Sequence, residues 1–179
     1  KSNCQPYIVI NNFMTTYYSI PQVYEEFIKY INENTYVQSW KDYVKNKSIP
    51  LDSTFLAGVQ WTFAEGYQAC NEYFKNNVNE IFANSNIKFN SSKYPTEDQL
   101  DQLLIAFVKL ILNARQEAEN NWEKYAKKLK LNDQIIGIYY LWIKLLYLNA
   151  ATICISNFEN KVYFLIDKIQ FITHENNTL

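Results

Sequence analysis

From residue 20 onward, apolar side chains recur every three or four residues along almost the whole chain. That period places side chains on one face of an α-helix. In two long stretches, steps of four and three residues give two apolar seams. The first seam is Val59, Phe63, Tyr67, Cys70, Phe74, Val78 and Ile81; the second is Leu100, Leu104, Phe107, Ile111, Ala114, Ala118, Trp122, Tyr125 and Leu129. Short connections between such helices make neighbours run in opposite directions.

The pattern predicts an all-α fold: a single-domain, elongated antiparallel bundle of about five helices over residues 20–172. Ser19 with Pro21 indicates one helix start, and Thr96 with Gln99 forms a capping box at another. We predict helices over residues 20–32, 35–45, 53–83, 96–130 and 133–172, the last with a break near Ser156–Asn160. Residues 1–19 are predicted to be an extended arm packed on the bundle. Residues 173–179 are predicted to be a flexible C-terminal tail.

The composition removes most catalytic motifs. The three glycines, Gly58, Gly66 and Gly137, all fall inside predicted helices, so none is expected to form a phosphate-binding loop. The single histidine, His174, falls in the predicted tail, whereas a catalytic triad or zinc site needs an imidazole in an ordered cleft. We therefore expect no enzyme activity, no cofactor and no metal site.

The charge balance bears on possible partners. Seventeen Lys and Arg residues against eighteen Asp and Glu residues give a net charge of −1. Nucleic acids and anionic membrane surfaces are bound by basic faces. We therefore predict that the protein binds neither.

Two features favour export from the cell. The chain begins Lys-Ser-Asn-Cys without a methionine, as expected of a product whose signal peptide has been removed. Glycosylation sequons start at Asn46, Asn90 and Asn176, each in a predicted loop or tail. The 22 asparagines also make chance sequons common. The prediction is a secreted, extracellular glycoprotein.

Three cysteines, Cys4, Cys70 and Cys154, cannot all pair within one chain. Cys70 and Cys154 lie on apolar faces of two long predicted helices, where a core cross-link would fit. A disulfide that uses Cys4 would instead attach the N-terminal arm to the bundle. The third alternative is that no disulfide forms.

Gly58 and Gly66 fall on nearly the same face of one predicted helix. Glycine inside a helix costs about 0.5–1 kcal/mol relative to alanine, so something should offset it. Close approach of a neighbouring helix is one interpretation, and a ligand groove is the other.

Residues 135–158 are apolar nearly all round, with Lys144 as their only charge. Their length would suit a membrane span, but a lysine in mid-span costs about 2.5–3.5 kcal/mol. We predict instead a central bundle helix covered on most sides, and no membrane span. The four tryptophans, Trp40, Trp61, Trp122 and Trp142, are all at core-compatible positions.

Within that helix, Tyr140, Lys144 and Tyr147 share one face at spacings of four and three. An ammonium with two phenols in an apolar helix is a candidate anchor for the carboxylate of an apolar ligand. The alternative is an outer face on which Lys144 lays its stem over the surface and holds its charge in water.

Two functions fit these sequence features. The first is a secreted, non-enzymatic protein that binds another macromolecule, expected to be a protein, through an aromatic- and Asn-rich helical surface. The second is an extracellular carrier of a fatty acid or similar apolar small molecule, with Lys144 as its anchor.

Overall fold

A computed structural model describes residues 19–47, 53–91, 93–130 and 137–177. Within these ranges the chain forms five helices and no strand, which confirms the predicted all-α bundle. The helices are α1 (Ile20–Glu33), α2 (Val37–Lys47), α3 (Ser53–Asn84), α4 (Glu97–Lys128) and α5 (Ile138–Asn177). Most of the predicted N-terminal arm lies outside the described residues.

Local sequence sets two of the helix starts. Ser19 caps α1 by accepting a hydrogen bond from the Gln22 backbone N–H, and Gln22 Oε1 accepts one from the Ser19 N–H in return. Thr96 and Gln99 make the same reciprocal pair at the start of α4, which confirms the predicted capping box. Each box satisfies two backbone donors that a helix start otherwise leaves unpaired.

The helices α3 and α5 run parallel through the centre of the bundle. Gly66 of α3 abuts the backbone of Tyr147 of α5, and two turns further on the rings of Phe74 and Phe158 stack at 3.8 Å. At about 1.5 Å per residue, the 40-residue α5 is about 60 Å long, so the bundle is elongated.

The other helices flank this central pair and run in the opposite direction. On α4, Trp122 packs on Tyr147, while Phe107 near the other end packs on Phe158. Helices α1 and α2 lie against α3 and α5, with Phe27 beside Phe158. The core between them is almost continuous and is rich in phenylalanine.

A polar network holds the bend between α1 and α2. Asn34 Nδ2 donates to Asn71 Oδ1 at 2.9 Å, and Tyr67 Oη donates to Asn34 Oδ1 at 3.0 Å. Asn157 Nδ2 donates to Ser39 Oγ at 3.2 Å and to Tyr67 Oη at 3.3 Å. Asn71 is buried, and a buried amide without partners would cost about 1–3 kcal/mol, so these bonds fix where the chain turns.

Two boundary predictions for the last helix were wrong. The expected break near Ser156–Asn160 is absent, because Phe158 packs in the core and the Asn157 side chain bonds to other helices instead of its own backbone. The helix also continues through Asn177 rather than giving way to a tail at residue 173. Ile172 is still buried there, which holds the last turns against the bundle.

Gly137 is not inside a helix as predicted. Its φ of +54° lies in the left-handed region, and α5 begins at the next residue.

Replacing each of the two glycines of α3 by alanine should have opposite effects on stability. A Cβ at Gly66 would clash with the carbonyl oxygen of Tyr147, whereas a Cβ at Gly58 meets nothing within 4 Å. Gly66→Ala should lower the free energy of unfolding by about 1–3 kcal/mol, because α3 and α5 must separate. Gly58→Ala should raise it by about 0.5–1 kcal/mol through helix propensity. Urea denaturation of both variants checks this, and equal effects would contradict the proposed close approach.

Candidate functional site

All three residues of the predicted ligand anchor contact α4. Tyr147 is buried, and Tyr140 and Lys144 are half-buried. Both tyrosines pack on the fully buried Trp122, each with ring centroids 5.5 Å from the indole. Tyr125 stacks on Tyr147 at 5.2 Å to complete an aromatic cluster. The two phenols thus help to join α4 to α5.

The charge of Lys144 has a partner. Its Nζ lies 3.3 Å from Glu119 Oε2 on α4, and both side chains are partly exposed. An exposed pair of this kind contributes about 0–1 kcal/mol. Because the carboxylate comes from the protein itself, a ligand carboxylate at Lys144 would have to displace Glu119.

Burial raises the pKa of two phenols above their ordinary value. For Tyr147 the main cause is desolvation in the aromatic cluster, with a smaller contribution from the negative charge of Glu65. Desolvation also raises the pKa of Tyr30 on α1, with a smaller contribution from nearby Tyr67. In both cases the environment favours the neutral phenol.

Four surface clefts have volumes of about 340, 220, 640 and 420 Å³. The first lies between α3 and α4 and has Asn77, Glu80 and Lys109 on its walls. The fourth lies between α2 and α5 and includes Asn46 and Asn149. None of the four is lined by the predicted anchor, Tyr140, Lys144 and Tyr147.

The two glycines proposed as a groove have different surroundings. Gly66 is buried against α5, so its role is the close approach of a neighbouring helix. Gly58 is exposed and has open space beside it.

Cys70 and Cys154 are both buried and are in the reduced form in this structure, and Cys4 lies outside the described residues. The prediction that each sequon lies in a loop or tail was wrong for Asn46 and Asn176, which lie in the last turns of α2 and α5. Asn46, Asn90 and Asn176 are all exposed: Asn46 near the end of α2, Asn90 between α3 and α4, and Asn176 near the end of α5. Exposure is what a glycan acceptor requires.

The first turns of α5 are not covered on most sides, contrary to the sequence prediction. Tyr139 is 70% exposed, and Leu141 and Leu145 are each 59% exposed. Flanking helices cover the inner side of α5, but Leu141 and Leu145 fall on the side opposite Tyr147 and the core. We call the solvent-facing side of α5 the outer face; it comprises Leu141, Trp142, Leu145, Asn149, Thr152, Ser156, Asn160 and Tyr163.

Other apolar side chains at the surface lie on α4 and α3. Ile105, Val108 and Leu112 form an exposed stripe on α4 at steps of three and four. Trp61 of α3 is 66% exposed. The prediction that all four tryptophans are core residues was therefore wrong for Trp61 and Trp142, while Trp40 and Trp122 are buried.

Among the described helices, α5 is the one that is long and apolar enough to cross a membrane, judged by length and composition alone. In its most apolar stretch, 39% of the residues are buried inside the bundle. A core helix of a soluble protein passes the same test.

Comparisons of the chain with protein-family models, with curated proteins and with solved structures find no match. The geometry of the molecule is therefore the basis for inferring its function.

The sequence also contains a signal for the outer face. Residues 135–158 are apolar at positions all around the helix, and a helix with neighbours on one side can bury only part of that circumference. The Lys144–Glu119 pair had no such signal, because Glu119 lies on a different helix.

Because these phenols are buried, we predict that the protein becomes less stable at alkaline pH. Since the folded-state pKa of Tyr147 and Tyr30 lies above the unfolded value of about 10, their contribution is complete below pH 10 and is lost as the pH rises further. Above pH 10, each phenol should lower the free energy of unfolding by up to about 1.4 kcal/mol per pH unit. Urea midpoints measured from neutral pH to about pH 11 test this.

The matched variants for this experiment are Tyr147→Phe and Tyr139→Phe. Removing the buried Tyr147 hydroxyl should make the alkaline decline shallower, whereas removing the hydroxyl of exposed Tyr139 should leave the wild-type slope. Identical slopes in all three proteins would contradict the assigned role of burial.

Proposed function

We propose that the protein is a secreted, non-enzymatic protein that binds another protein through the outer face of α5. The observation that carries the proposal is the exposure of Leu141, Trp142 and Leu145, which lie on adjacent turns of one helix face. Apolar and aromatic side chains grouped at a surface are typical of protein-binding sites.

The packing beneath the outer face makes this face suitable for binding a partner protein. On the inner side of the same turns, Leu146 and Tyr147 are buried in the bundle, and Ala150 packs below them. The helix is therefore anchored along one side while its other side faces solvent. A preformed face loses less conformational freedom on binding than a loop does.

The middle of the outer face favours a protein over a lipid partner. Asn149, Thr152, Ser156 and Asn160 occupy the central turns and are exposed. At the centre of a bilayer these groups would lie in hydrocarbon, where polar side chains are costly. A protein surface can offer hydrogen bonds to amides and hydroxyls and apolar pockets to Leu141 and Leu145.

Secretion is supported by the sequons. Their three asparagines are exposed, and none of them belongs to the outer face. Glycans at these positions would increase solubility. Asn46 lines the cleft between α2 and α5 together with Asn149 and Thr152, so a glycan there would border the proposed binding surface.

The test is site-specific photo-crosslinking in the extracellular fluid of producing cells. A photoreactive amino acid at Leu145 should give a discrete protein adduct, and the same probe at Trp61 on α3 should not give that adduct. The adduct should disappear when Leu141→Glu is added, because a carboxylate would have to be desolvated in the interface. Trp61→Glu is the matched control for the loss of an exposed apolar side chain and should leave the adduct intact.

The captured protein must then bind the purified chain. We expect Leu141→Glu with Leu145→Glu to weaken that binding at least about tenfold, equivalent to about 1.4 kcal/mol. Circular dichroism should show that both exposed substitutions leave the helical fold in place. An adduct that persists in the double variant, or equal affinity of the double variant and wild type, would contradict the proposal.

A further inference from the structure

Cys70 of α3 and Cys154 of α5 lie opposite each other where the two central helices meet. One turn beyond them, Phe74 stacks on Phe158 with ring centroids 3.8 Å apart. Because α3 and α5 run parallel, stepping back four residues on both helices leads from this stacked pair to Cys70 and Cys154. The exposed fractions are 4% for Cys70 and 0% for Cys154.

The helices approach unusually closely at the preceding turn. There a Cβ at Gly66 would lie 3.0 Å from the Tyr147 carbonyl carbon and 3.2 Å from its Cα. Ala150 and Ala151 on α5 are also buried and small. A disulfide needs Cα atoms about 4.4–6.8 Å apart, a separation that facing residues of two helices reach where no bulky side chain holds the backbones apart. Small residues on both sides of the contact meet that need.

We propose that Cys70 and Cys154 form a disulfide that cross-links α3 to α5 and leaves Cys4 outside the pair. The oxidant is a disulfide, either a small molecule such as oxidised glutathione or a protein disulfide. One cysteine thiolate attacks the oxidant and releases its first thiol. The other cysteine thiolate then attacks the mixed disulfide and releases the second thiol. Two protein thiols thus become one S–S bond, and the oxidant is reduced to two thiols that take up the two protons.

The bond forms while the chain folds. In the folded, reduced protein both sulfurs are buried, and a hydrogen bond with Cys70 together with burial raises the pKa of the Cys154 thiol. Thiol–disulfide exchange requires an accessible thiolate, so the closed core resists both oxidation and reduction. During folding the same thiols are accessible to the oxidant.

The primary test uses the full chain without substitution. The reduced, unfolded protein is refolded in a mixture of reduced and oxidised glutathione, free thiols are alkylated, and the product is mapped by mass spectrometry without reduction. The expected product is a Cys70–Cys154 peptide pair with Cys4 alkylated. A bond that uses Cys4, or three alkylated cysteines in refolded protein, would overturn the proposal.

A second measurement uses Cys4→Ser, which retains both proposed partners. Its oxidised form should have a higher urea midpoint than its reduced form, because the bond closes a long loop in the unfolded chain. In folded protein the bond should survive a dithiol reductant that cleaves it in urea. Equal or lower stability of the oxidised form, or equally fast reduction in the two states, would show that the bond does not belong to the native core.

Discussion

The close contact between α3 and α5 organises the rest of the structure. Gly66 leaves no side chain between its backbone and Tyr147, and the two helices then stay together through the stacked rings of Phe74 and Phe158. Because α3 and α5 run parallel and pack closely, these two long helices contact each other along their length. The remaining helices can then cover the central pair from its sides, and their direction follows from the chain connections.

Three asparagines have a structural role at the bend between α1 and α2. Asn34 in the bend, Asn71 of α3 and Asn157 of α5 meet around the Tyr67 hydroxyl. A hydrogen-bonded set of this kind has few alternative arrangements, because each buried amide needs its partners. The network therefore fixes the register of α1 and α2 against α3 and α5, which apolar packing by itself specifies less strictly.

The outer face follows from the number of helices available to cover α5. Tyr147 and Leu146 are buried in the bundle, whereas Leu141 and Leu145 on the opposite side are left in water. Leaving large apolar side chains exposed forgoes about 1.5–3 kcal/mol per residue that burial would provide. An occupant that covers this face would recover part of that free energy, and this is the physical basis of the proposed protein binding.

The sequence by itself determined the elements that depend on local order. Helical periodicity located the five helices, and the Thr96–Gln99 box located the start of α4. The steps of three and four residues correctly identified the buried positions of the seam from Val59 to Val78. Only the tertiary structure decided which apolar surfaces are covered: Trp122 is buried while Trp61 is exposed, although both fit a core position in sequence. It also decided that Lys144 pairs with Glu119. Burial and charge pairing depend on which helix lies alongside, and helical periodicity does not encode the identity of that neighbour.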